Sequence, residues 1–261
     1  MTTAAVALIG AGNVGWRLGL RLAEQGFQLL QIYSRDLDKA GELARATGAL
    51  QAIDQLNELR TDADLYLLAV PDAAIAPIAD ALAAILPAHA RIAHTSGATP
   101  LAALGSRFER KGVFYPLQTF SRTREVDFNR VPLCIYAPEP ETENWLMAIA
   151  RRLSPEVYRI DDEQRATLHL AAVFVNNFTN ILYGIGGAIV AAENLPFALL
   201  QPLIAETAEK VQHLSPGQAQ TGPALRNDQT TMARHLAQLE GFPHWQHIYR
   251  QLTDEIQRQK Q

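Results

Sequence analysis

The stretch Gly10-Ala11-Gly12-Asn13-Val14-Gly15 constrains this chain more than any other. It follows the apolar run at residues 4–9, and a helical stripe of Val14, Leu18 and Leu22 starts inside it. Strand, glycine turn and helix in that order form the dinucleotide-binding fingerprint. The first glycine permits the tight turn, the second lets the backbone approach a pyrophosphate, and the third lets helix and strand pack closely. The helix then turns its positive end toward the phosphates. Gly10, Gly12, Asn13, Val14 and Gly15 are therefore the expected cofactor cradle.

Up to residue 160, strand-like runs alternate with helical stripes. The runs lie at 4–9, 27–33, 49–53, 64–70, 91–94, 111–115, 132–136 and 157–160. Between them, Arg17 and Arg21 fall on the outer face of the first helix, and Asp36 opens a second that Gly48 closes. Ile75, Ile78, Leu82 and Ile85 mark a third helix, and Trp145, Ile149 and Leu153 a fourth. After residue 160 no strand pattern remains, and three or four helices are expected to run to the end. The first, at 161–193, is apolar around much of its circumference, as in helices that lie inside something. Pro196 starts the next, Ser215-Pro216-Gly217 breaks it, and Asp228 caps another; the polar tail from Glu255 is expected to fray. The predicted fold class is α/β: an N-terminal Rossmann-like, doubly wound, mostly parallel sheet (1–160) followed by an all-helical C-terminal domain (161–261).

Composition serves mainly to exclude. Lysine plus arginine number 23 against 27 aspartate plus glutamate, a net charge of −4 with no basic surface for nucleic acid. The longest apolar run, 181–192, is too short for a membrane span, and no charged leader precedes the first strand. The expectation is a soluble, cytoplasmic protein. Cys134, the one cysteine, sits in a strand-like run and reads as a core residue. The histidines at 89, 94, 169, 213, 235, 244 and 247 show no metal-binding spacing, so no metal is expected.

In such a fold the end of the second strand selects the dinucleotide. An acid there bonds the ribose 2′-hydroxyl of NAD, whereas here Ser34 takes its place and Arg35 follows. A guanidinium beside a 2′-phosphate makes charge-assisted bonds worth ~1.5–3 kcal/mol, so the sequence predicts NADP(H). Asp36 is better placed as a helix cap than as an NAD-selecting acid. Three other strand ends carry polar groups toward the crevice where ligands sit. Val70 and Pro71 would pass the nicotinamide half of the cofactor, Thr95 and Ser96 follow strand five, and Gln118 follows strand six. Each hydroxyl among them could equally cap a turn. On the long helix, regular α geometry puts His169, Asn176 and Asn180 on one stripe, with Asn177 about 80° round. Polar groups in an apolar helix either satisfy one another or do chemistry. Histidine as a residue type exchanges protons near neutrality, which makes His169 a candidate proton donor and Asn177 its candidate orienting partner. Arg226 could bind a carboxylate, of a substrate or of a partner subunit.

With these residues in place, the chain resembles a family of bacterial Rossmann-like proteins with a C-terminal domain of unknown function, number 2520. The resemblance rests on the glycine motif, His94-Thr95-Ser96-Gly97, residues 115–120, His169 with Asn177, and Thr221-Gly222-Pro223 with Arg226, Asp228 and His235. That family is similar in turn to deazaflavin-dependent NADP oxidoreductases, pyrroline-5-carboxylate reductases and β-hydroxyacid dehydrogenases. It implies an NADP-binding domain, a helical dimerisation domain and an active site between the two. The lysine that β-hydroxyacid dehydrogenases carry on the interdomain helix is absent, which argues against their substrates and leaves ketone or imine reduction open. The expected function is hydride transfer to or from a small carbonyl or imine in a homodimer. His169, Asn177 and Ser96 would be catalytic, and Thr95, Gln118, Asn180 and Arg226 would contact substrate. The alternatives are an NADP-binding sensor without turnover and an NADP:deazaflavin hydride-transfer enzyme.

Overall fold

The structure, a computed structural model, describes residues 4–259. Eight strands form one sheet: β1 (Ala5–Ile9), β2 (Gln28–Tyr33), β3 (Gln51–Ile53), β4 (Leu65–Leu68), β5 (Arg91–His94), β6 (Arg110–Pro116), β7 (Leu133–Tyr136) and β8 (Val157–Arg159). They lie in the order β3-β2-β1-β4-β5-β6-β7-β8, parallel throughout except where β7 runs antiparallel to β6. That reversal follows from the connection. A loop with no α-helix joins β6 to β7, and only antiparallel neighbours can do without a crossover. The strand order reverses between β1 and β4, and ligands bind at such a switch point.

Helices α1 (Asn13–Glu24), α2 (Leu37–Thr47), α3 (Asp72–Ala83) and α4 (Pro140–Leu153) cover the sheet. Strand side chains alternate between its faces. Val6, Leu8, Leu65 and Leu67 pack with Leu18, Leu43 and Ile149 on one face. Ala7, Ile9, Tyr66 and Leu68 pack with Ile75, Ala79 and Leu82 on the other. Cys134 is buried among the second set, as the sequence suggests. The two arginines expected on the outside of α1 behave otherwise. Arg17 is buried and donates to the carbonyls of Ser121 and Arg122, and Arg21 reaches that of Leu153. Both bond backbone carbonyls of distant segments.

The chain divides into two compact units, Met1–Asn176 and Asn177–Gln261. The long helix exists but is not regular. α5 (Asp162–Ala172) passes through a π turn (Val173–Phe178) into α6 (Thr179–Ala192). A π turn holds one residue more than an α turn, so side chains beyond it slip by about 100°. The stripe drawn through His169, Asn176 and Asn180 with α geometry is therefore not kept. Nor is the helix enclosed in the single chain, since no residue of α6 is buried. At 31 residues it is also long and apolar enough to cross a membrane by length and composition, unlike the short run at 181–192. The second unit continues through α7 (Gln201–His213), α8 (Pro216–Ala219), α9 (Gln229–Gln238) and α10 (Pro243–Arg258). Asp228 caps α9 as expected. Ser215-Pro216-Gly217 does more than break a helix: Ser215 caps α8 in a reciprocal box with Gln218. The tail does not fray at Glu255, because α10 extends to Arg258 with an amphipathic pattern that began at Pro243.

His94 ends β5 fully buried, with Nδ1 accepting the Ser96 N–H at 3.2 Å and Nε2 without a partner among the described residues. Burial, reinforced by the Arg165 cation, pulls its pKa down to about 4. The folded protein thus keeps His94 neutral where the unfolded chain, with a histidine pKa of about 6.5, takes up a proton. This group's contribution is whole above about pH 6.5 and is lost as pH falls toward about 4, at up to about 1.4 kcal/mol per pH unit. Urea melts between those limits should show that slope in the wild type and a shallower one in His94→Gln.

Candidate functional site

The cradle is built by three glycines under different constraints. Gly10 has φ 118°, and a Cβ there would strike the Ala69 carbonyl at the end of β4. A Cβ on Gly15 would strike the carbonyl of Gly10, so α1 can lie against its own turn only without one. Gly12 differs, since a Cβ there would meet nothing within 4 Å. It faces open space, where a ligand's phosphates would approach the backbone. The first turn of α1, which opens with Asn13, Val14 and Gly15, carries no acidic side chain to oppose an anion.

A cavity of about 500 Å³ opens beside this turn. Gly10, Gly12, Ser34, Arg35, Val70 and Pro71 line it together, as their positions at the ends of β1, β2 and β4 require. Its other wall is the start of α3, with Ala73, Ala74, Pro77 and Ile78 forming a low apolar platform. Sequence reasoning missed that wall. Its signal was a run of small side chains directly after Pro71.

The β2 end is disposed for an anion. Asp36 is already committed: it accepts the Lys39 N–H at 3.2 Å as the α2 cap and pairs with Lys39 Nζ at 2.8 Å. The Lys39 bonds hold its carboxyl below the usual range. Ser34 Oγ accepts the Asp36 N–H at 3.2 Å and keeps its own proton to donate. Arg35 is exposed at the cavity edge with no ion pair among the described residues. A free guanidinium beside a hydroxyl donor fits the 2′-phosphate of NADP.

Past the cradle, the loop after β5 is set by α5. Thr95 Oγ1 donates to the Leu68 carbonyl at 3.2 Å, tying β5 to β4. Ser96 Oγ accepts the N–H groups of Ala98 and Thr99 at 3.1 and 2.9 Å. From α5, Arg165 Nη2 donates to the Thr99 carbonyl at 2.6 Å, and Asp162 Oδ2 accepts the Leu101 N–H at 2.9 Å. Arg165 is 1 % exposed, and its Nη1 lies 2.7 Å from Asp162 Oδ1. One turn further along the same helix face, His169 is half-buried, with Nδ1 3.2 Å from the hydroxyl of Tyr115 near the end of β6. Ser96, Tyr115 and His169 thus stand about one loop, at the C-terminal ends of β5 and β6.

Gln118 lies apart from these, lining a cavity of about 680 Å³ within the loop after β6, with Thr119, Arg124 and Arg130. Asn180 lies on α6, Asn177 in the π turn, and Arg226 in the loop before α9.

Comparison with known proteins agrees with this architecture. Residues 5–96 match the family described as NADP oxidoreductase coenzyme F420-dependent, and residues 131–256 match domain of unknown function DUF2520. A solved Bacteroides fragilis protein assigned as an NADP oxidoreductase is 41 % identical over 98 % of both chains, with a TM-score of 0.92. The chain belongs to this family of NADP oxidoreductases with a DUF2520 region. A reductive aminase from Aspergillus terreus, solved with NADPH and ethyl-5-oxohexanoate, shares the fold at 17 % identity, covering 98 % of this chain and 93 % of its own, with a TM-score of 0.70. Among curated proteins, a glutamyl-tRNA reductase of Pyrobaculum arsenaticum matches at 49 % identity over 49 residues, 19 % of this chain; the chain spans 12 % of that relative's length.

Replacing Arg35 by alanine should lower NADPH affinity about ten- to a hundredfold while leaving NADH affinity near its starting value. Fluorescence titration of both cofactors checks this. An unchanged ratio would mean that Arg35 does not read the phosphate.

Proposed function

We propose that this oxidoreductase uses NADP(H) to reduce a small carbonyl or imine, or to run the reverse dehydrogenation, where the Rossmann domain (1–160) meets the helical domain (161–261). The observation that carries the reading is the placement of His169. It stands half-buried over the strand ends of the unit that holds the nucleotide cradle, gripped at Nδ1 and with no protein partner at Nε2 among the described residues. The bound cofactor supplies the hydride; the reduction also needs a proton. As the imidazolium, His169 gives that proton from Nε2 to the substrate oxygen or nitrogen.

Asn177 orients the substrate in this reading. Ser96 keeps a proton to donate while its oxygen holds the turn. Thr95, Gln118, Asn180 and Arg226 are assigned to the substrate surroundings. At the cofactor end, the α1 N-terminus takes the pyrophosphate, Ser34 and Arg35 the 2′-phosphate, and Val70 with Pro71 the approach to the nicotinamide.

The protein works, in this proposal, as a cytoplasmic homodimer. The support is the apolar side of the long helix, with Leu170 60 %, Val175 75 % and Ile181 59 % exposed in the single chain. An exposed apolar surface of this kind in water marks an interaction site, and a second copy would cover it. Light scattering at micromolar concentration should give twice the chain mass; a monomeric mass would sink the dimer.

A second reading has its own support, since residues 5–96 match an oxidoreductase family described as coenzyme F420-dependent. Mixing NADPH with that deazaflavin and following its absorbance tests it directly. For the main reading, NADPH oxidation is followed with a panel of 2-oxo acids, ketones and cyclic imines. His169→Ala should cut turnover on the active substrate by about 10²–10⁴-fold while NADPH still binds. Unaltered turnover in both His169→Ala and Asn177→Ala would remove the catalytic assignment. Tight NADPH binding by a wild type that turns over nothing would favour a sensor.

A further inference from the structure

We propose that Tyr115 is a positioning residue that donates its phenolic proton to Nδ1 of His169, holding the imidazole as its Nε2–H tautomer, and that Gly97 exists to admit this bond. Its catalytic meaning rests on the reading of His169 as proton donor; the bond itself does not.

Three separate segments converge to make the pair. Tyr115 comes from β6, Gly97 from the loop after β5, and His169 from α5. The hydroxyl and Nδ1 are 3.2 Å apart, and the rings meet edge to face with centroids 6.1 Å apart and planes at 68°. Tyr115 is 9 % exposed, and among the described residues its hydroxyl has no partner but Nδ1. A nearly buried phenol that gave its proton to nothing would lose a hydrogen bond without return. The proton therefore goes to Nδ1, which must accept it as a bare lone pair. Burial also pushes the Tyr115 pKa up to about 12, so the hydroxyl keeps its proton throughout the neutral range. With Nδ1 an acceptor, the neutral ring carries its hydrogen on Nε2.

Gly97 shows how tightly the pair is set. A Cβ at that position would lie 2.5 Å from His169 Nδ1 and 2.6 Å from Tyr115 Cζ. The glycine is required here by contact, because its backbone conformation is open to any residue. The loop cannot retreat from such a side chain. Arg165 and Asp162 hold it at Thr99 and Leu101, and Thr95 holds it to β4. An alanine would have to part the tyrosine from the histidine.

The consequence for chemistry is directional. Without an obligatory donor at Nδ1, the neutral imidazole distributes its hydrogen between two nitrogens. Half-turned rings and the other tautomer both lower the fraction of enzyme that directs an Nε2–H at the substrate; proton transfer itself runs from the imidazolium, in which Nδ1 also carries hydrogen and the Tyr115 hydroxyl turns to accept from it.

The test reads the tautomer itself and needs no substrate. Protein labelled with ¹⁵N at its histidines is examined by long-range ¹H–¹⁵N correlation across a pH titration, and His169→Gln identifies the resonances. In the wild type, the neutral form should show Nδ1 as the bare nitrogen and Nε2 as the N–H nitrogen. In Tyr115→Phe and in Gly97→Ala, both shifts should move toward the average of the two tautomers, with thermal melts confirming that each variant is folded. A wild-type proton on Nδ1 would overturn the proposal, as would shifts that stay fixed in both variants. The wild-type signature, lost in the variants of a protein that turns over no substrate, would uphold the bond and remove only the proton-donor reading.

Discussion

The nucleotide end of this protein depends on a close approach of backbone to backbone. α1 can start where it does only because Gly15 lies on the carbonyl of Gly10, and Gly10 in turn lies on that of Ala69. The first contact aims the helix N-terminus along the sheet. The second sets the distance between β1 and β4, at the point where the strand order reverses. Any side chain at either position would wedge the crevice open. Gly12 stands between them under the opposite requirement, with space that the protein leaves unfilled.

A second, unrelated constraint governs the far end of the crevice. The loop after β5 is tied to β4 through Thr95 and to itself through Ser96, and α5 fixes its far end at Thr99 and Leu101. Arg165 is the chief of these ties, a guanidinium almost wholly withdrawn from water that donates to one backbone carbonyl and lies beside one carboxylate. Because Arg165 and His169 are one turn apart, the tie that fixes the loop also fixes the histidine above it. Rigidity at the site is thus supplied by a helix that begins after the sheet is complete.

How much of this could be read in advance divides along physical lines. The cradle was legible because its requirements are local: Gly10, Gly12 and Gly15 fall within six residues, and Ser34 and Arg35 follow directly on a strong strand. The eight strands were legible from their apolar runs for the same reason. Tyr115 was visible as a strand end, but its role was not, since its partner lies 54 residues on. Gly97 was visible only as the end of the His94–Gly97 motif, because its need is contact with two remote rings. Arg17 was misplaced on the outside of α1, as a charged side chain that satisfies itself on distant carbonyls leaves no local trace. The π turn escaped too. It changes the hydrogen-bond ring without changing the apolar character of residues 173–178, so periodicity alone continued the α stripe through it. The individual site roles, read from residue type at a strand end or helix stripe, stand as proposals.

The ties from α5 also impose an order on how the protein comes into being. Arg165 meets Thr99 across 66 residues of chain, and Asp162 meets Leu101 across 61. The cradle, by contrast, is closed by the first seventy residues, through the contact of Gly10 with Ala69. Contacts between distant segments bear the entropy of closing long loops before they return any stabilisation. On the ribosome, the glycine cradle therefore has its chain available long before the loop after β5 has its partners on α5. Until α5 has emerged, the nascent protein has the glycine cradle but lacks the Arg165 and Asp162 ties at the far end of the loop after β5.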